Sequence, residues 1–250
     1  MQKKVIISIV IAMIGIIVIG CKKDEKTKVH LSVASSLKDP LLKIEEIYEK
    51  NNSNVDLVLN FGSSGSLKQQ IVQGAPCDIF ISASKKYMDE LKDKNYLLDN
   101  KYKDLVRNKL VLVSSTKDIH SIEDLKGDDY KRIGIGEVKT VPVGQYAEEV
   151  IVSTGIKPYV EDKLIYGKDA KEVLAWVISG NVDAGFLYSS DTTHHKNLNA
   201  VSIDDNLHSP IIYPIGVIKK GNNLEEASKL SKFLQSEESK KILESYGYVS

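Results

Sequence analysis

From residue 29 to the C-terminus the sequence alternates short β-like runs with amphipathic helical ones, and few architectures accept that rhythm. VHLSVAS (29–35) has the two-residue period of a strand. SLKDPLLKIEEIYEK comes next, with Leu37, Leu41, Ile44 and Tyr48 at helical spacing. Pro40 falls in that helix's first turn, where a missing N–H costs little. The rhythm repeats with strand NVDLVLNF (54–61), helix SLKQQIVQ (66–73) stopped by Gly74 and Pro76, strand CDIFISA and helix SKKYMDELKDKN. It continues through strands KLVLVSS (109–115), RIGIG (132–136), KLIYG (163–167) and DAGFLYS. The helices GQYAEEVIVSTG and DAKEVLAWVISG between them end at Gly155 and Gly180. The last third holds NAVSI, the apolar IIYPIGVIK and two helices, LEEASKLSKFLQ and EESKKILESYG. Such alternation predicts α/β architecture with largely parallel sheets.

The first twenty residues stand outside this pattern. Lys3 and Lys4 precede an apolar run, Val5 to Gly20, shorter than the ~20 residues that span a bilayer. The segment 1–20 reads as a secretory signal. Its end, Val18-Ile19-Gly20-Cys21, resembles the lipobox of bacterial lipoproteins, which implies a lipid anchor on Cys21 and an extracytoplasmic location at the cell membrane. Residues 21–28 are polar and aperiodic, as expected of a short tether.

Charge excludes one class of partner. Lys and Arg together number 34 and Asp and Glu number 34, so no basic surface for nucleic acid is expected. With Cys21 assigned to lipid, Cys77 has no partner for a disulfide. It sits in the apolar run CDIFIS, where it reads as a small buried hydrophobe.

Four places share one design, a strand, a loop of small or polar residues, then the first turn of a helix. They are ASSL (34–37), GSSGSL (62–67), VPVGQY (141–146) and YGKDAKEV (166–173). First-turn N–H groups have no intrahelical acceptor, and the helix dipole adds partial positive charge, so each place is an anion site or simply a capped helix. Hydroxyls and amides offer many donors and few acceptors, which suits a fully deprotonated oxyanion. Gly62 and Gly65 are expected to let the backbone come close.

Enzyme readings fit less well. GSSGS is not G-x-S-x-G, because Ser66 stands where the second glycine belongs, and no G-K-[ST] is present after it to make a P-loop. His194 and His195 are adjacent in a polar stretch, and no spacing resembles a zinc site. A secreted serine hydrolase using Ser64 or Ser66 is the remaining enzymatic alternative.

The collinear run ASSL, NFGSSGSLKQQIVQGAPCDIFISAS, NKLVLVSS, VPVGQYAEEVI, DAGFLYSSD and IIYPIGVI resembles the periplasmic molybdate-binding proteins of ABC importers. The resemblance implies a type II periplasmic-binding fold, two α/β lobes joined by two crossovers. Lobe one would hold 29–109 plus 215–250, lobe two 110–214, with crossovers near 108–115 and 211–218. Matched position by position, it implies that Ser36 and Ser64 donate hydroxyls, Val143 and Ala170 donate backbone amides, and Tyr188 donates its hydroxyl to molybdate. Two departures, Cys77 for a family alanine and Thr192 after Ser190-Asp191, touch none of these donors.

The same resemblance implies a non-enzymatic binder of molybdate, and of tungstate as well, held in the interlobe cleft and passed to an ABC permease. No cofactor is expected, and metal enters only as the bound oxyanion. A monomer is expected, tied to the membrane through Cys21. Sulfate, phosphate or ferric iron are the alternative ligands. Ser36→Ala and Ser64→Ala are each expected to weaken binding with little change in apo stability.

Overall fold

The structure, a computed structural model, describes residues 26–250, so the signal segment 1–20 and Cys21 lie outside the described residues. Among the described residues no helix is long and apolar enough to cross a membrane.

The first sheet opens with β1 (Thr27–Ala34), β2 (Val55–Gly62) and β3 (Ile79–Ile81). Between them run α1 (Lys38–Asn51), entered through a 3₁₀ turn Ser35–Leu37, and α2 (Ser64–Val72); α3 (Lys85–Asp93) comes after β3. In β1 Val29, Leu31 and Val33 are fully or almost fully buried, and α1 lays Leu41, Ile44 and Tyr48 on the same core. Then come β4 (Lys103–Arg107) and β5 (Leu110–Ser114), separated by two residues, Asn108 and Lys109.

β5 belongs to the second sheet, with β6 (Ile133–Gly136), β7 (Leu164–Gly167), β8 (Ala184–Tyr188) and β9 (Asn199–Ser202). Its helices are α4 (Pro142–Ser153), a short α5 (Lys157–Val160), α6 (Ala170–Ser179) and a short α7 (Ser189–Thr192). The chain then returns through β10 (Ile212–Val217) to the first sheet and ends in α8 (Leu224–Leu234) and α9 (Glu237–Ser245). Leu230, Leu234 and Leu243 of these helices enter the core.

The sheet orders are β2-β1-β3-β10-β4 and β7-β6-β8-β5-β9. β1 runs parallel to β2 and β3, and β10 is antiparallel to both β3 and β4. β6 runs parallel to β7 and β8, and β5 is antiparallel to both β8 and β9. In each sheet, then, four strands point one way and one is reversed. The reversed strand, β10 or β5, is the one arriving from the other lobe. The expectation of largely parallel sheets holds for strand direction, while both pairings of each arriving strand are antiparallel.

Three details differ from the expectations drawn from sequence. Thr27 and Lys28, expected in the tether, already pair in β1 with Val55 and Asp56. β4 has no counterpart in the apolar pattern, because only Leu105 and Val106 are buried and Lys103, Asp104 and Arg107 face solvent at the sheet edge. The expected division at 214/215 would cut β10 after its third residue, yet all of β10 pairs in the first sheet. IIYPIGVIK reads as a crossover because a central strand covered on both faces is as apolar as a buried linker. The return passage runs through 203–211.

The two passages are pinned together. Asn108 N–H donates to Ile211 O at 3.1 Å, and Asn108 Nδ2 donates to Ser190 Oγ at 2.8 Å. Ser189 Oγ donates to Asn108 Oδ1 at 3.0 Å.

Candidate functional site

Ligands of open α/β sheets settle beyond the carboxyl ends of the strands, where loops lead into helix N-termini. Here two sheets present those ends to each other. β1 ends at Ala34 before Ser36, β2 ends at Gly62 before Ser64, and β3 ends at Ile81 before Ala83. From the other lobe β6 leads to Val143, β7 to Ala170, and β8 ends on Tyr188 itself. All of them line one small cavity. The five residues expected to bind, Ser36, Ser64, Val143, Ala170 and Tyr188, are thus brought together. Larger depressions lie at the surface, for example beside Ser115 and His194, away from these loops.

The serine hydroxyls do not cap helices. Neither makes a capping hydrogen bond, and Ser64 is the first residue of α2 rather than its N-cap, which is Ser63. Ser64 Oγ accepts the Ala83 N–H at 2.9 Å, which leaves the serine's own proton for the cavity. Ser36 Oγ lies 3.0 Å from Tyr213 Oη. When Tyr213 donates there, Ser36 also has its proton free. Tyr248 Oη donates to Ser36 O at 2.9 Å and fixes the serine's backbone. Ser35 and Ser63 also line the cavity, but the Ser63 hydroxyl is committed to Ser66 Oγ at 2.8 Å.

Lobe two contributes main chain. Pro142, at the first position of α4, carries no N–H, and Val143 comes directly after it within the first turn. Gly144 lets α4 start this close to its strand, since a Cβ there would stand 1.9 Å from Gly136 O. Ala170 opens α6, whose N-cap Asp169 accepts the Glu172 N–H at 2.9 Å. The dipoles of α4 and α6 therefore both put their positive ends at the cavity.

Tyr188 is the exceptional group. It is 1 % exposed, and its hydroxyl is a buried polar atom with no hydrogen-bond partner. Tyr213 packs edge-on against it with ring centroids 5.8 Å apart. Tyr213 Oη is near enough to ease the ionisation of Tyr188 slightly, but its hydrogen bond goes to Ser36. Burial holds Tyr188 and Tyr213 well above the ordinary phenol range, so both stay neutral. An orphaned buried hydroxyl costs roughly 1–3 kcal/mol, which a ligand oxygen accepting from it would recover.

One acid lies close behind. The buried Asp191 carboxyl accepts the Tyr188 N–H through Oδ2 at 3.2 Å, while Oδ1 stands 3.8 Å from Lys171 Nζ. Burial pushes its pKa up to about 7, against the pull of Lys171. Lys171 itself reaches across the cleft to Asp39 Oδ2 at 2.6 Å.

Sequence reasoning misses the layer behind the donors. Tyr213, Tyr248 and the Ala83 amide hold the two serines, and of the two tyrosines only Tyr213 lies inside a recognisable motif, the apolar run IIYPIGVIK. Gly62 turns out to have ordinary space around it, with Leu67 Cδ2 3.4 Å from an added Cβ, whereas Gly65 is pressed against the opposite lobe. Cys77 is buried and free, and its thiol donates to Ile79 O at 3.2 Å.

A family model described as bacterial extracellular solute-binding protein matches residues 29–249. The "Putative ABC transporter substrate-binding lipoprotein YvgL" of Bacillus subtilis (strain 168) is 34% identical, with all of both chains covered. The "Molybdate-binding protein ModA" of Haemophilus influenzae is 33% identical over 99% of each chain. Among solved structures, the "substrate binding domain of putative molybdenum ABC transporter from Clostridium difficile" is 47% identical. It covers 90% of this chain and 99% of its own, with a TM-score of 0.69.

Proposed function

We propose that this chain, which belongs to the bacterial extracellular solute-binding proteins, captures molybdate between its lobes and passes it to an ABC permease, with tungstate as a second ligand. The observation that carries this reading is the unpartnered, fully buried Tyr188 hydroxyl on a cavity otherwise lined by serine hydroxyls and helix-first-turn amides. Ser36 and Ser64 donate from one lobe, and the Val143 and Ala170 amides and Tyr188 donate from the other. A ligand that touches both lobes favours the closed arrangement by that differential contact. The relatives' names support the ligand and the transporter, and the B. subtilis relative's name supports lipid attachment at Cys21.

The donor polarity discriminates among alternatives. No carboxylate lines the cavity, so a hydrogen phosphate would find no anionic acceptor for its proton. Ferric iron needs anionic oxygens, and burial keeps the Tyr188 phenol protonated. No histidine lines the cavity to serve as a base for Ser64. Sulfate has the right charge and shape, and cavity size alone separates it from molybdate.

Thermal shift against molybdate, tungstate, sulfate and phosphate tests the reading. A ligand at a hundred times its dissociation constant stabilises by about 2.7 kcal/mol. Molybdate and tungstate should raise the melting temperature more than the other two. Absence of a shift with either at millimolar concentration overturns the proposal.

A further inference from the structure

Beyond the cavity, the lobes touch at a second set of residues, none of which lines the cavity. Gly65, the second residue of α2, donates its N–H to Thr140 O of the opposite lobe at 2.9 Å. The approach is so close that a Cβ on Gly65 would stand 2.7 Å from both Thr140 Cα and Thr140 O. Beside it Tyr87 of α3 donates its hydroxyl to Lys139 O at 2.9 Å and accepts from Gln145 Nε2. Tyr87 is 3 % exposed, and its ring belongs to the first lobe's own cluster with Leu67, Phe80, Met88 and Leu91.

The surface that receives these groups is stiff. Thr140 N–H and Val141 N–H both donate to Glu137 O, at 3.1 and 2.8 Å, and Glu137 N–H donates to Gly167 O at 2.8 Å. The turn 137–141 is therefore tied to β6 and β7 and cannot recede from an added methyl. Its Thr140 sits one residue before Val141 of the cavity, as Gly65 sits one residue after Ser64.

We propose that Gly65 and Tyr87 form a clasp that grips the 137–141 turn, and that this clasp, separately from the ligand donors, sets how long the closed cleft holds its oxyanion. The clasp presupposes that the cleft binds an oxyanion. In the open state every proposed donor is still in place, so association is set by the donors. Escape requires the clasp to part, so dissociation is set by Gly65 and Tyr87. Gly65 is needed for its missing side chain, because the atoms it meets are backbone. Tyr87 is needed for its hydroxyl, which both donates and accepts.

Gly65→Ala and Tyr87→Phe test the clasp in the folded chain. Association and dissociation rates for molybdate and tungstate are read by stopped-flow fluorescence, and lobe closure by small-angle X-ray scattering with and without saturating molybdate. Dissociation should rise about tenfold or more in Gly65→Ala, where the new methyl meets backbone. In Tyr87→Phe, which loses neutral hydrogen bonds only, it should rise about two- to tenfold. Association should change little in either. At saturation the wild type should contract and Gly65→Ala should stay wider.

Wild-type dissociation rates and contraction in both variants overturn the clasp. If Gly65→Ala does not fold, Tyr87→Phe decides alone. If the wild type binds none of molybdate, tungstate, sulfate and phosphate, the ligand reading falls. The clasp then falls with it unless Gly65→Ala widens the ligand-free protein.

Discussion

The two lobes share one strand order and one way of receiving a strand from the other, yet they equip the cleft with different chemistry. Lobe one offers side chains, the hydroxyls of Ser36 and Ser64. Each has its oxygen beside a neighbouring donor, the Tyr213 hydroxyl or the Ala83 N–H, so its proton can serve the cavity. Lobe two offers main-chain amides at Val143 and Ala170, placed by helix starts, and one side-chain donor, Tyr188, left without any partner. A hydroxyl is lost when its side chain is truncated, but a main-chain amide survives every substitution except proline. Mutational sensitivity should therefore concentrate in lobe one and at Tyr188.

Ser64→Ala should have the largest effect. It removes a donor to a buried anion, worth about 1.5–3 kcal/mol, so titration calorimetry should show molybdate affinity falling roughly ten- to a hundredfold. It also strands the Ala83 N–H, so ligand-free stability should fall by roughly 1–3 kcal/mol as well. That departs from the expectation of unchanged stability, and Ser36→Ala should depart from it too, because it leaves the fully buried Tyr213 hydroxyl without its Ser36 partner. Unchanged ligand-free stability in either variant would show that the stranded donor finds another partner.

Tyr188→Phe should weaken molybdate about tenfold or more while raising the ligand-free melting temperature, because it deletes an orphaned hydroxyl. A fall in both quantities would show that the hydroxyl is already satisfied. Val143→Ala should do the reverse. Losing two buried methyls costs about 1.5 kcal/mol or more of stability, read by chemical denaturation, with affinity changed less than about threefold.

The smallest effect on molybdate affinity is expected at Asp191, whose part is in the pH dependence of stability, since burial raises its carboxyl from 3.8 to about 7. Between those values the native state keeps a proton that the unfolded chain has released, so this group subtracts stability as pH rises from about 4 to 7, and no more above. Asp191→Asn keeps an acceptor for the Tyr188 N–H and removes the titration. The melting-temperature gap between variant and wild type should widen in the variant's favour across that window and then level. A pH-independent gap would mean that Lys171 holds the carboxylate ionised.

Much of the fold is legible in the sequence, for a physical reason. Periods of two and 3.6 record which faces are buried, and they mark nine of the ten described strands. β4 escapes because an edge strand with two buried residues has no period to show. The donors are legible wherever a residue type is itself the chemistry, as with Ser36, Ser64 and Tyr188. The amides of Val143 and Ala170 can be reached only through the collinear resemblance, since every residue but proline carries a main-chain N–H. Tyr213, Tyr248 and Ala83 act on the serines through space, from segments far off in the chain. Gly65 stands out as a glycine that permits close approach, but what approaches is Thr140, 75 residues later.

β10 fills the slot between β3 and β4, and it arrives only after the whole second lobe has been threaded. A chain emerging from its N-terminus thus presents β1 to β4 with the middle of their sheet missing. The second lobe, by contrast, has all five of its strands within 110–202 and can close its sheet as one continuous stretch. Construction is therefore out of step with sequence: the lobe that begins first is finished last. Until Ile212–Val217 docks, β3 keeps an open edge, which is where a stalled or truncated chain would pair with the wrong strand.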